Sequence, residues 1–319
     1  ELIDHAVEKH GKKVKFLTFR EALDRINRNL LAGHSLRKED GSDSLIRTID
    51  LDNDGFLDVV IPESPEKLVT RVWNTNQNTW IQSELDHSWK RVPGMVPDGN
   101  VQFGALSESG SVVMFSHSVD PSQKTGNIDA LMFDAGQWKT GEQLRKLMFA
   151  KHTSTSRDGI RIARQFRDLD GDGTPEFLSA TEAFRGVLRW NDAEMNWETL
   201  SISLPENLDW LTPTGTDAGL RFVDVNEDGH DDIIFSNHAR YGVWLWKDLE
   251  TGWSIEAISG KRGENPPEEE IPMIVREDGT NNGAWFHSKH MWVQNEDTAE
   301  LPNLVDRRSF EWLVRNIKE

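Results

Sequence analysis

IRTIDLDNDGFLDVVI at 46–61, RQFRDLDGDGTPEFLS at 164–179 and RFVDVNEDGHDDIIF at 221–235 align without a gap. Each carries the form D–x–D/N–x–D–G–x–x–D/E, entered from an apolar residue and left into an apolar run. The motif glycine serves as a ruler. Gly173 and Gly229 stand 56 residues apart, and Gly55 and Gly173 stand 118 apart, close to twice that spacing. A copy is therefore expected near 110. VQFGALSESGSVVMFS (101–116) keeps the apolar flanks and Gly110 there, with Ala105, Ser107 and Ser109 at the acidic positions. IPMIVREDGTNN (271–282) is a fifth copy, reduced to Asp278 and Gly279, so successive glycine spacings are 55, 63, 56 and 50 residues. Self-similarity at such a period is the mark of a repeat architecture.

A second feature travels with the first. About 17 residues after each full motif comes a Trp, a polar turn and another Trp: Trp73 and Trp80, Trp190 and Trp197, Trp246 and Trp253. Phe133 and Trp138 fill the role in the second copy. β-prone stretches such as GVLRW flank the turns, so each pair reads as a hairpin with an aromatic on each arm. Thirteen Trp against one Tyr fit a structural position that demands Trp each time. That recurrence assigns the rings to core packing rather than to stacking on sugars.

Strand, acidic turn, strand and hairpin make a four-stranded unit of about 50 residues, and such units repeated radially form a β-propeller. The fold expectation is mainly β, with blades at roughly 43–90, 98–146, 160–205, 216–262 and 271–300 and a short α/β N-terminal segment. Residues 1–10 and 20–31 are helical in pattern, with Gly11 as a cap and KVKFLTF (13–19) strand-like between them. This divides the chain into 1–32, a linker at 33–44 (GHSLRKEDGSDS), the propeller at 45–300, and a helical segment or start of a further module at 301–319.

The acidic loops carry the chemistry. Calcium takes six to eight hard oxygens at about 2.3–2.6 Å, and carboxylates at alternate loop positions can converge on one point. Positions one, three, five and nine supply side chains, and position seven supplies a carbonyl. The glycine at position six permits the left-handed turn. The first site is expected to use Asp50, Asp52, Asp54 and Asp58 with the Phe56 carbonyl. The second uses Asp168, Asp170, Asp172 and Glu176 with that of Thr174, and the third Asp224, Asn226, Asp228 and Asp232 with that of His230. An EF-hand is rejected: it needs a bidentate Glu at position twelve between helices, where this chain has Ile61, Ser179 and Phe235 in apolar, strand-like surroundings. Magnesium suits the loops less, since it prefers fewer protein ligands and keeps its waters. The copies at 101–116 and 271–282 are expected to be metal-free turns.

Charge agrees with bound cations. Fifty-four acidic residues against 36 basic ones give −18, which disfavours nucleic acid or an anionic membrane surface as partner. Eleven carboxylates sit in the three loops, and three divalent ions would bring −18 to −12. At a typical extracellular-module affinity of about 10⁻⁴–10⁻³ M, about 1 mM calcium contributes roughly 0.4–1.4 kcal/mol per site. At submicromolar calcium the sites would be empty, so a periplasmic or extracellular location is expected. No cysteine is present, which excludes disulfides, zinc thiolates and iron–sulfur clusters. No apolar run approaches the ~20 residues of a membrane helix, and no signal peptide is present. The chain opens at Glu1 within a helical pattern and reads as a piece of a longer protein.

Other residues offer little chemistry. His287 and His290 in GAWFHSKHMW, read as one strand, point to opposite faces and make no joint metal site. Tyr241 follows Arg240 near His238, from which an acid–base lyase centre can be drawn, though nothing in the spacing demands it. No phosphate loop, G-x-S-x-G elbow or H-E-x-x-H occurs.

The D-x-D-x-D-G-x-x-D loops resemble the FG-GAP/VCBS repeats of integrin-α-like β-propellers. That resemblance implies seven blades in a complete propeller, two more than the five counted. ELIDHAVEKHGKKVKFLTFREALDRI (1–26) resembles the closing helix–strand–helix of a polysaccharide deacetylase domain. The residues that form that family's metal and catalytic sites lie outside this chain. NNGAWFHSKHMWVQNEDTAELPNLVDRRSF (281–310) resembles segments of multidomain secreted proteins of planctomycete-type bacteria. The expected function is a calcium-binding propeller, a binding or scaffold module for a polysaccharide or protein ligand beside a carbohydrate deacetylase. The alternatives are a polysaccharide lyase or hydrolase with its site on the propeller, and a purely structural spacer. The sequence holds no catalytic set and leaves the oligomeric state open.

Overall fold

A computed structural model describes the chain apart from residues 42–43, 65–66, 87–100, 107–111, 121–124, 141–143, 145–163, 181–183, 206–207, 213–215 and 318–319. It divides into two compact units, Glu1–Pro93 and Gly94–Glu319.

In the first unit, helices α1 (Leu2–His10) and α2 (Phe19–Arg25) precede a four-stranded antiparallel sheet. Thr18 starts α2 with a capping box. Its Oγ1 accepts from the Glu21 amide at 3.3 Å, and its own amide donates to the Glu21 carboxylate at 2.9 Å. Neither helix buries a residue, and Leu2, Phe19 and Leu23 lie exposed. Leu31 is the first buried side chain, and it packs with Ile46, Val59, Ile61 and Val69. These belong to or flank the strands β1 (Arg47–Ile49), β2 (Asp58–Ser64), β3 (Lys67–Asn74) and β4 (Thr79–Asp86), paired in chain order. Val59, Val60 and Ile61 are all buried, so β2 is covered on both faces and its sequence runs apolar without alternation. Arg71 ties the helical segment to this sheet. Its guanidinium donates to the carbonyls of Asn29 and Leu30 and lies 4.7 Å from the Trp80 ring.

The second unit contains four further antiparallel sheets, each paired in chain order. They are β5 (Val101–Ala105) to β8 (Gln137–Thr140) with β6 (Val112–Asp120) and β7 (Thr125–Asp134); β9 (Arg164–Arg167) to β12 (Asn196–Thr199) with β10 (Glu176–Ala180) and β11 (Arg185–Asn191); β13 (Leu220–Val223) to β16 (Ile255–Lys261) with β14 (Asp232–Ser236) and β15 (Arg240–Leu245); and three strands, β17 (Ala284–His287), β18 (His290–Val293) and β19 (Asp306–Ser309). Successive sheets share cores. Val113 and Ala130 meet Phe177, Leu188 and Trp197 in one, and Leu178 and Val187 meet Leu220, Ile233 and Phe235 in the next. Ile234 and Val243 meet Met291, Val293, Phe310 and Leu313 in a third. Residues 306–309 thus complete the last sheet, and the short helix Phe310–Leu313 seals its core.

The aromatic pairs form as the hairpin pattern requires. Trp190 faces Trp197 across β11 and β12, edge to face with centroids 5.3 Å apart, and Trp246 meets Trp253 at 4.9 Å. All four are at most 6% exposed, which leaves no ring face open to a sugar. Trp73 and Trp80 repeat the arrangement at 5.1 Å, and Phe133 and Trp138 at 5.2 Å.

Candidate metal centres

Each acidic motif forms the turn between the first two strands of its sheet, and the three turns are held by the same hydrogen bonds. The position-one carboxylate accepts from the position-six glycine amide: Asp50 from Gly55 at 2.8 Å, Asp168 from Gly173 at 2.9 Å, Asp224 from Gly229 at 2.9 Å. The position-five carboxylate accepts from the position-seven amide: Asp54 from Phe56, Asp172 from Thr174 and Asp228 from His230, at 2.9, 2.7 and 2.9 Å. The glycines take φ of 86°, 86° and 93°. Position four is left-handed too, at Asn53, Gly171 and Glu227 (φ 57°, 74° and 62°). Sequence reasoning missed that position because its three occupants share no residue type.

Position nine has a second role. Asp58, Glu176 and Asp232, expected as ligands, are all wholly buried. They clasp the loop to the sheet. Asp58 accepts from the Leu51 amide at 2.9 Å and from the Trp73 amide on β3 at 2.8 Å. Asp232 accepts from the Val225 amide at 3.0 Å and from the Trp246 amide at 2.8 Å. Glu176 accepts from the Leu169 amide at 3.0 Å, while its Oε1 is buried with no hydrogen-bond partner. Burial pushes the Asp58 carboxyl up to about 6 and those of Glu176 and Asp232 up to about 7. Asp52 is also raised, by burial and then by Asp54 and Asp50 beside it.

Two carboxylate triads converge. Oxygens of Asp50, Asp52 and Asp54 lie within 4.8 Å of one another, as do oxygens of Asp168, Asp170 and Glu176. Oxygens bound to one calcium at about 2.3–2.6 Å cannot be more than about 5 Å apart, so both sets fit a single ion. The donors are all hard oxygens, and Glu176 Oε1 is a buried acceptor without a hydrogen bond. In the third loop the Asn226 side-chain amide donates to Asp228 at 2.7 Å. In the second, Asp172 lies outside the triad and pairs with Arg189, which also lies 3.5 Å from Asp170 and 3.7 Å from Glu176. The second and third loops are neighbours: the His230 ring contacts the Leu169 carbonyl at 3.2 Å, and Arg167 pairs with Asp231.

Of the two degenerate copies, the turn at 107–111 lies outside the described residues. The turn at Asp278 is closed by the Thr280 amide donating to Asp278 at 2.9 Å.

The histidine reading needs correction. A two-residue turn at Ser288 and Lys289, both left-handed, sets His287 directly opposite His290 on one face of the hairpin. Their Nδ1 atoms contact Ser288, at its Oγ (2.9 Å) and its carbonyl (2.7 Å). Both rings lie against Trp292, and among the described residues no acidic or histidine cluster of three includes them. The lyase sketch finds no support around Tyr241. That side chain is 2% exposed, its hydroxyl accepts from Asn265 at 3.0 Å, and Arg262 covers its ring at 5.0 Å, while His238 is exposed. Among the described residues no helix is long and apolar enough to cross a membrane.

Repeated antiparallel sheets, three of them with an acidic turn between their first two strands, define a repetitive, mainly β protein. Residues 168–235, from the first aspartate of the second loop to the end of the strand after the third, match the family model of the FG-GAP-like repeat. No curated protein sequence matches the chain. Among solved structures, one similar chain is an Agrocybe aegerita lectin described as specifically recognising non-reducing terminal N-acetylglucosamine. It is 14% identical, with a TM-score of 0.41, over 67% of this chain and 50% of the lectin, so this chain spans half of the lectin's length.

Proposed function

We propose that this chain is a calcium-stabilised β-propeller module whose sheets are the blades and whose acidic loops hold up to three Ca²⁺ ions. The observation that carries the reading is the pair of hydrogen bonds shared by the three turns, in two of which carboxylate oxygens gather within the span of one ion. The FG-GAP-like match across two of these loops supports it, as does the stacking of successive sheets on shared cores. The module serves binding or scaffolding, for a polysaccharide or protein partner, within a larger exported carbohydrate-active protein beside a deacetylase-like domain. Calcium at about 1 mM, as outside the cytosol, is the condition under which such loops fill.

Thermal unfolding in excess EDTA, in millimolar Ca²⁺ and in Mg²⁺ tests the metal. A rise of several degrees specific to Ca²⁺, absent from an Asp54→Ala, Asp172→Ala, Asp228→Ala triple variant, is expected. Equal midpoints in all three conditions would reduce the loops to acidic surface turns and remove the argument for an exported location. Glycan-array binding by the chain separates a ligand-binding module from a spacer.

A further inference from the structure

The three loops share one scaffold but not one charge environment, and the difference lies in two residues that act together. At position nine the first and third loops have Asp58 and Asp232, short enough for both oxygens to accept backbone amides, one from the loop and one from the Trp at the end of the third strand (Trp73) or just after it (Trp246). The second loop has Glu176. Its longer arm satisfies one oxygen on the Leu169 amide and leaves Oε1 buried without a hydrogen bond. The residue just before the paired Trp is Val72 in the first sheet and Leu245 in the third, both uncharged, whereas the second sheet has Arg189. The guanidinium of Arg189 hydrogen-bonds Asp172, lies 3.5 Å from Asp170, and brings its Nε to 3.7 Å from the orphaned Oε1. It therefore touches the carboxylates of positions three, five and nine at once.

We propose that Arg189 is a built-in cation of the second loop, which pairs with its carboxylates without metal and, by competing with the ion for them, makes it the weakest calcium site of the three. This rests on the calcium reading of the loops. A guanidinium is charged at every physiological pH and presents five donors in a planar fork, so it satisfies several carboxylates at once. Calcium can collect Asp170 and Glu176 with Asp168 only after Arg189 gives up its pairs with them. The first and third loops have no such competitor at the matching position and keep their need for a divalent ion.

Calorimetric titration of calcium-stripped full chain with Ca²⁺ tests this. The wild type is expected to take two ions at millimolar calcium or tighter. Arg189→Leu is expected to gain a third, its loop binding about tenfold tighter than in wild type, and Asp172→Ala in that background should return the count to two. Arg189→Gln keeps polarity and length without charge and should gain the ion as well, which covers a leucine variant that fails to fold. In EDTA both variants are expected to melt below wild type, and in millimolar calcium the gap should close. Val72→Arg should remove the ion from the first loop. Three equivalent ions on wild type, or two on both Arg189 variants, overturns the inference while leaving the calcium reading intact. No calcium bound to wild type or to any variant overturns the calcium reading itself.

Discussion

Replacing Asp232 by alanine separates the two jobs of the acidic loop. Asp232 is wholly buried, and its two oxygens accept the amides of Val225 at 3.0 Å and Trp246 at 2.8 Å. Without the carboxylate both N–H groups lose their acceptor in the protein interior, at about 1–3 kcal/mol each. Some of this is returned, because a buried carboxylate is itself costly, as its upward shift to about 7 records. The net expectation is a loss of about 3 kcal/mol. Asp228, at position five of the same loop, makes only exposed bonds, accepting from the His230 amide at 2.9 Å and the Asn226 side chain at 2.7 Å. Asp228→Ala should fall within about 0.5–1 kcal/mol of wild type without metal. Urea unfolding followed by tryptophan fluorescence, in EDTA and again in millimolar Ca²⁺, distinguishes the two. Asp232→Ala is expected to be destabilised in both conditions, and Asp228→Ala chiefly in calcium, where it forfeits a ligand. A loss below 0.5 kcal/mol for Asp232→Ala in EDTA would refute the clasp.

Two further outcomes follow from the same geometry. The folded-state values of Asp58, Glu176 and Asp232, about 6, 7 and 7, exceed those of free carboxyls. Their contribution to stability is therefore complete below pH 4 and lost as the pH rises through 6 to 7. In EDTA these groups should make the melting temperature lower at pH 7.5 than at pH 5, and saturating calcium, which favours the carboxylate, should narrow or reverse the difference. A higher metal-free melting temperature at pH 7.5, persisting in an Asp232→Asn variant, would contradict this. Gly229 has φ 93° and nothing within 4 Å of the place a Cβ would occupy, so Gly229→Ala should cost about 1–2 kcal/mol by backbone strain alone, read as a shift in the urea midpoint.

The sheets and their acidic turns were legible because the motif repeats and because strands covered on both faces read as apolar runs, as DVVI does in β2. The chemistry of position nine was not. Spacing alone cannot tell a ligand from a buried acceptor, and both demand a carboxylate there. The signal available was the buried apolar residue at positions two and ten, Leu51 and Val59 for example, which draws position nine inward. Arg189 was visible only as one charged letter in GVLRW against GVWLW. The hairpin at 288–289 was missed because Ser-Lys is not a pair that favours positive φ, so FHSKHMW read as one strand and the two histidines fell on opposite faces. DRRS at 306–309 is too polar to announce a strand. It pairs with β18 nonetheless, setting Arg307 opposite Trp292 and Met291 opposite Arg308.

The way these sheets close bears on how much such a chain can change. Strand pairing and shared apolar cores hold the units, so a unit can keep its sheet without its acidic residues. The β9–β12 unit has an arginine among its carboxylates, and the β5–β8 unit has its four strands paired although Ala105, Ser107, Ser109 and Val113 stand where the three acidic loops have acidic or amide residues. On the calcium reading proposed above, single substitutions can therefore raise or lower the number of ions such a chain holds, with the repeat count left untouched.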